Sequence, residues 1–224
     1  MIETSEPFAR VVTVSAVYGA GGSVIAPALA TRLGMSFFDR LVHTARPHDS
    51  AAISERLTAE EKLQAPAGRL TTRLAQLTSG LGLPMLAPDD MDPSRILRQQ
   101  VVDSVWRIAT GDGGVILGRA AAVITADDPL AFHVRLTGPP ERCLLQGMAL
   151  MGDTIENARE QQATTDRTWS RFVTRLFDRD PADPTLYHVV LDSTAIPLDR
   201  CVDLLAEAAQ AFWSHPGTAV SGVS

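Results

Sequence analysis

A chain of 224 residues and 24.0 kDa, 45% hydrophobic and 21% charged, suits one domain that buries about 70% of its unfolded surface and needs no disulfide or metal to fold. Its net charge of −6 argues against a bulk nucleic-acid binder but leaves nucleotides open, because these need only a local cluster of Arg. Lys62 is the one lysine beside nineteen arginines, so phosphate must be met by the planar fork of Arg or by backbone N–H groups. Cys143 and Cys201 stand far apart with no CxxC spacing and read as core thiols. The uncharged run 11–31 lacks a basic leader and is broken by glycines and Pro27. It therefore fits neither a signal peptide nor a membrane span, and the expectation is a soluble, cytoplasmic protein.

Five apolar runs are candidate strands in chain order: 11–15, 36–38, 114–118, 130–136 and 186–191. The first and third are almost continuously apolar, as parallel strands covered on both faces are. Helical periodicity falls between them. Residues 22–33 align Val24, Ile25, Ala28, Leu29 and Leu33. Residues 94–109 begin at a candidate cap, Ser94, and align Ile96, Leu97, Val101, Val105 and Ile108. A helix over 139–150 opens on Pro139-Pro140, and a long polar helix over 154–177 opens on Asp153 and Glu156 as a capping-box-like pair. Pro197 begins a last helix with Cys201, Leu204, Leu205, Ala208 and Phe212 inward. Strands alternating with helices make βαβ units and a parallel sheet. Residues 44–93 break the alternation as a helical insertion with a loop-like end, and 214–224 form a Gly/Ser/Val-rich tail expected to be flexible.

The stretch "TVSAVYGAGGSVIAPALA", residues 13–30, leads from a strand through a glycine cluster into a helix. A phosphate-binding loop needs that order: inward N–H groups with a helix N-terminus behind them. Gly19, Gly21 and Gly22 let the backbone reach positive φ and approach a ligand closely, and Gly22 is expected there. Against G-x-x-x-x-G-K-[ST], the chain offers Ala16, Gly21, Gly22 and Ser23, so the first glycine and the lysine are missing. On this pattern alone a glycine-rich turn without ligand stays open.

Four blocks in order carry a resemblance. "VVTVSAVYGAGGSVIAPALATRLGMSFFDRLV", "GVILGRAAAVIT", "VRLTGPPERCL" and "LYHVVLDST" resemble the successive motifs of the cytidylate kinase-like family over roughly residues 10–207. The resemblance implies an α/β, three-layer P-loop NTPase fold with a five-stranded parallel sheet and a helical lid. It implies a single domain over 1–213, with 44–93 as the monophosphate-binding region and 153–180 as the lid. It also implies ATP and Mg²⁺ as cofactors, with phosphoryl transfer to CMP or a related monophosphate. Members commonly lack the loop lysine. This chain further departs at Ala16 and Ser23, where the family usually has Arg, at Trp169, where the lid's D-x-x-R pattern places Arg after Asp166, and at His188, where an acidic residue is usual.

Under that resemblance Gly19, Ala20, Gly21, Gly22, Ser23 and Val24 hold the donor phosphates, with the Ser23 hydroxyl on the metal. Arg119 forks onto the acceptor phosphate, the alternative being a solvated strand-end arginine. Asp39, with Arg40 beside it, serves the acceptor sugar, its base or a metal-bound water, or else caps the next helix. Arg167, Arg171 and Arg175 recur at spacing four, the geometry of a lid closing over phosphates or of a solvated basic face. Arg167 and Arg171 are the candidates to replace the missing lysine. Two functions follow: a weak nucleoside monophosphate kinase, or a catalytically impaired nucleotide-binding regulator on the same fold. The partners expected are nucleotides, not nucleic acid or membrane, and the amphipathic stretch 56–77 leaves a homo-oligomer possible.

Overall fold

The computed structural model describes residues 8–39, 93–118 and 120–214. Its strands are β1 (Val11–Ala16), β2 (Phe37–Asp39), β3 (Gly114–Leu117), β4 (Ala131–Thr137) and β5 (Val189–Asp192). They form one sheet in the order β2-β3-β1-β4-β5, parallel throughout. The helices are α1 (Gly22–Leu33), α2 (Pro93–Ala109), α3 (Ala121–Ile124), α4 (Pro140–Met151), α5 (Ile155–Phe177) and α6 (Leu198–Ser214). The insertion proposed for 44–93 lies outside the described residues except for Pro93, and the tail does so from residue 215.

β1 is central because its apolar residues are satisfied on both faces. Val12 and Val14 join Val115, Leu117, Val134 and Leu136 under α1 and α6. Val11 turns the other way, with Ile116 and Ala131, under α2 and α3. All these core positions are at most 6% exposed, which explains the unbroken apolar runs of β1 and β3. Trp169 and Val173 of α5 pack on Ala120, and Leu144 of α4 meets Ala158 of α5 around Tyr18.

Helix faces differ in phase from expectation at several points. Leu204 is 47% exposed and Val24 40%, while Val202, Ala206 and Ala209 of α6 and Ala26 and Ala30 of α1 are buried. The close approach of α1 to α6 selects small residues, so the buried stripe does not follow the largest side chains. The cap of α5 is Thr154, whose hydroxyl accepts from the Asn157 N–H at 3.4 Å. Asp153 lies one residue outside, accepting from the Thr154 N–H, Asn157 Nδ2 and Gln161 Nε2. α2 starts at Pro93, so Ser94 is inside the first turn. The last strand starts three residues after its expected position, because Pro184–Leu186 forms a 3₁₀ turn capped by Asp183.

The second face of the sheet carries a polar pair where an apolar one is usual. Thr13 and His133 face each other across β1 and β4, and Thr13 Oγ1 and His133 Nδ1 share a hydrogen bond of 2.9 Å. The His188 ring stacks on that of His133 at 4.9 Å, and its Nδ1 accepts from the His133 N–H at 2.9 Å. Burial, reinforced by His188, pushes the His133 pKa down to about 4 from 6.5.

The unfolded chain therefore takes up a proton below pH 6.5 that the folded chain refuses until about pH 4. The stability is present above 6.5 and is lost as pH falls. Asp128 and Asp166, whose pKa values burial raises, act in the opposite direction, so the His133 part is best read as a difference. Urea unfolding at stepped pH should show the wild type losing up to about 3 kcal/mol more than His133→Gln between pH 7 and 4. Equal losses would mean that His133 is protonated in the folded state.

Candidate functional site

The C-terminal ends of the parallel strands β1 and β2, on either side of β3, place residues 19–24 and Asp39 at one edge of the sheet, where open parallel sheets bind their ligands. The β1–α1 loop occupies residues 17–21. Gly19 (φ 72°) and Gly21 (φ 73°) are left-handed, as a loop that folds its amides inward requires. Ala20 closes the turn by donating to the Val17 carbonyl at 3.1 Å. Among the described residues, the N–H groups of Gly19, Gly21, Gly22 and Ser23 meet no acceptor. Four amides at the mouth of α1 are thus left for an anion, and the helix dipole adds to their pull.

Gly22 does not have the positive φ expected of it; it is the first residue of α1. Its constraint is steric. A Cβ there would lie 2.6 Å from the Ala16 Cβ and 3.2 Å from Leu117 Cδ1. The methyl at position 16, where the common motif has glycine, therefore takes the space in which a lysine side chain at 22 would begin. The two departures from the motif thus meet in one contact.

Two elements hold the loop from behind, α4 and the end of β5. The Cys143 carbonyl of α4 stands where a Cβ at position 19 would be, and Gly147 lacks a Cβ that would meet the Tyr18 ring at 2.7 Å. Gln146 Nε2 donates to the Gly19 carbonyl at 2.9 Å. From the end of β5, the buried Ser193 hydroxyl donates to the Ala20 carbonyl at 2.7 Å. Beside it, Asp192 accepts from Thr194 and, at 2.7 Å, from Arg142, so Arg142 is paired at this edge.

Ser23 and Val24 are exposed on the first turn of α1. Asp39 ends β2 opposite Leu117. Arg40 and Arg119 lie outside the described residues. Next to Arg119, however, Ala120 holds a left-handed backbone (φ 77°), a conformation that costs an alanine on the order of 1–3 kcal/mol and is concentrated at functional turns. Arg167, Arg171 and Arg175 are exposed on α5, with no hydrogen bond or ion pair among the described residues, while Asp166 is half-buried and Trp169 buried on the face turned to the sheet.

That inner face was not anticipated. Asp166 Oδ1 accepts from the Tyr18 N–H of the loop at 2.9 Å. Arg135 of β4 lies 5.3 Å from the Trp169 ring and 5.6 Å from that of Tyr187, and it donates to the Pro181 carbonyl. The Tyr187 hydroxyl reaches Ser15 at 3.3 Å. A charged residue amid the apolar run of a central strand was the available signal for Arg135. Nothing local marked Tyr18, Gln146 or Ser193.

Among the described residues no helix is long and apolar enough to cross a membrane. Among solved structures, the fold is similar to that of an uncharacterized protein from Eubacterium ventriosum, with TM-score 0.62, 14% identity, and coverage of 90% of this chain and 98% of that one. A gluconokinase from Sinorhizobium meliloti (TM-score 0.47, 17% identity, 93% and 98% covered) and a shikimate kinase from Bacteroides thetaiotaomicron (0.47, 13%, 91% and 99%) are more distantly similar. A uronate isomerase from Corynebacterium glutamicum is 27% identical over 114 residues, 51% of this chain, and the match spans only 22% of that enzyme. The cytidylate kinase-like family matches residues 11–195, in the same β1–loop–α1 frame that exposes the four amides, and the chain belongs to that family.

Proposed function

We propose that this protein transfers a phosphoryl group from ATP to CMP or a related nucleoside monophosphate, slowly, with the donor phosphates held by residues 19–24. The observation that supports it best is the set of unengaged N–H groups at Gly19, Gly21, Gly22 and Ser23, at the head of α1. Phosphoryl transfer asks a protein mainly for positioning and charge neutralisation. The cradle fits a polyphosphate chain in that it offers donors and a helix N-terminus, while Ser23 offers one hydroxyl to Mg²⁺. When bound, that ion would neutralise charge on the phosphates. Arg119, two positions after β3 in sequence, is assigned to the acceptor phosphate, and Asp39 with Arg40 to the acceptor's sugar or base.

The missing lysine sets the expected rate. Loss of one preorganised charge-stabilising donor costs an enzyme about 10²–10³ in turnover. Arg167 or Arg171 would restore the charge only if α5 turns its exposed face towards the loop. A second reading, a nucleotide-binding regulator, is favoured by the outward placement of those two arginines. The domain is taken as one unit over 1–213, and cytoplasmic location with nucleotides as partners accords with this function.

Turnover with Mg-ATP and each of the four common monophosphates decides between the readings. Slow but measurable product is expected with CMP or a close relative. No turnover beside clear ATP binding would establish the regulator. Arg119→Ala should weaken monophosphate binding by roughly 10- to 100-fold while ATP affinity holds, the loss of a charge-assisted contact. Arg171→Ala should lower turnover without changing ATP affinity, and turnover indifferent to both Arg167→Ala and Arg171→Ala would rule out lid compensation.

The contact between positions 16 and 22 gives a further check. Gly22→Lys alone should destabilise by about 1–3 kcal/mol through overpacking against Ala16. Combined with Ala16→Gly it should recover most of that loss, and the double variant, not the single one, should gain turnover. Additive destabilisation in urea unfolding would mean that the two positions do not share space.

A further inference from the structure

Among the described residues, one amide of the loop is engaged by a side chain, and by an unusual one. The Tyr18 N–H, next to the free amide of Gly19, donates to the Asp166 carboxylate across 148 positions of sequence. The carboxylate is half-buried, and burial pushes its pKa up, opposed by the Tyr18 hydrogen bond and by the charge of Arg135. Burial of a carboxylate beside a phosphate loop is costly unless the place is built for an anion. Here it is built from two sides. The loop supplies an amide, and β4 supplies Arg135, whose Cα partner on β1 is Ser15, two residues before the loop begins. Trp169, one turn after Asp166 on the same helix, lies 5.3 Å from that guanidinium, so the two anchors of α5 use one cation and one amide.

We propose that the Tyr18 amide, in the field of Arg135, is an anion subsite of the loop, that Asp166 fills it in the nucleotide-free protein, and that a nucleotide phosphate takes its place. The inference rests on the loop being a phosphate binder. A phosphate carries more charge than the carboxylate and accepts the same N–H, so the subsite suits it. It cannot enter beside Asp166, since two anions would share one donor. Displacement frees α5 from the loop at Asp166, the same helix that carries Arg167 and Arg171. A self-supplied anion thus competes with the ligand, and removal of its charge should tighten binding.

The test is calorimetric titration of the full-length wild type, Asp166→Asn and Asp166→Asn/Arg135→Gln with inorganic pyrophosphate and with Mg-ATP. Asp166→Asn should bind both about tenfold or more tightly, the range set by one charge-assisted hydrogen bond, and Arg135→Gln should cancel most of the gain. Binding by Asp166→Asn alone would support the subsite equally. If the wild type binds and Asp166→Asn binds no more tightly, the subsite is overturned while the phosphate loop stands. If neither binds either probe despite native melting transitions, the loop reading fails and the subsite with it. A nucleotide-independent arm follows amide exchange in Asp166→Ala: Tyr18 exchange should accelerate, and unchanged protection would overturn the contact itself.

Discussion

The close approach of the β1–α1 loop to α4 is the constraint on which the site depends. The Cys143 carbonyl occupies the space of a residue-19 side chain, and Gly147 makes room for the Tyr18 ring. Only glycine satisfies both the left-handed turn at 19 and this contact. With the loop held against a helix, its conformation does not rely on a ligand. The unengaged amides are therefore fixed in place by packing, so an anion binding there would meet little ordering entropy.

Electrostatics at this edge come from elements remote in sequence. The loop contributes no charge, and neither does the first turn of α1. Its neighbours contribute both signs: Arg135 and Asp166 on one side, Arg142 and Asp192 on the other. Each carboxylate is satisfied by backbone or hydroxyl donors as well as by charge. Such pairing leaves neither charge of a pair stranded, which would be the costlier state.

Periodicity exposed the sheet and its helices in the amino-acid order itself, because each strand is apolar on a face the helices cover and each helix has one inward stripe. The glycine cluster, too, announced its loop. What was illegible is what depends on contact between distant segments. Leu204 looked like core, yet the tight crossing of α1 and α6 chose alanines instead. Gly22 looked conformational, whereas its need is the methyl of Ala16. The arginines of α5 drew attention by their regular spacing, while Asp166 on the adjoining face makes the contact. Spacing reveals that side chains share a face; it does not reveal which face turns inward.

The hydroxyl of Ser193, donating to the Ala20 carbonyl, ties the loop to the far end of the chain. During synthesis residues 17–21 precede the strands that flank β1, 114–117 and 131–137, and the residue whose hydroxyl braces the loop comes 173 positions after Ala20. The nascent chain therefore carries the glycine loop without its Ser193 brace for those 173 positions, about nine to thirty-five seconds at 5–20 residues per second. Truncation between α5 and β5 removes this brace and leaves the loop its contacts with α4 and α5. The loop's full set of contacts arrives only with the last strand of the sheet.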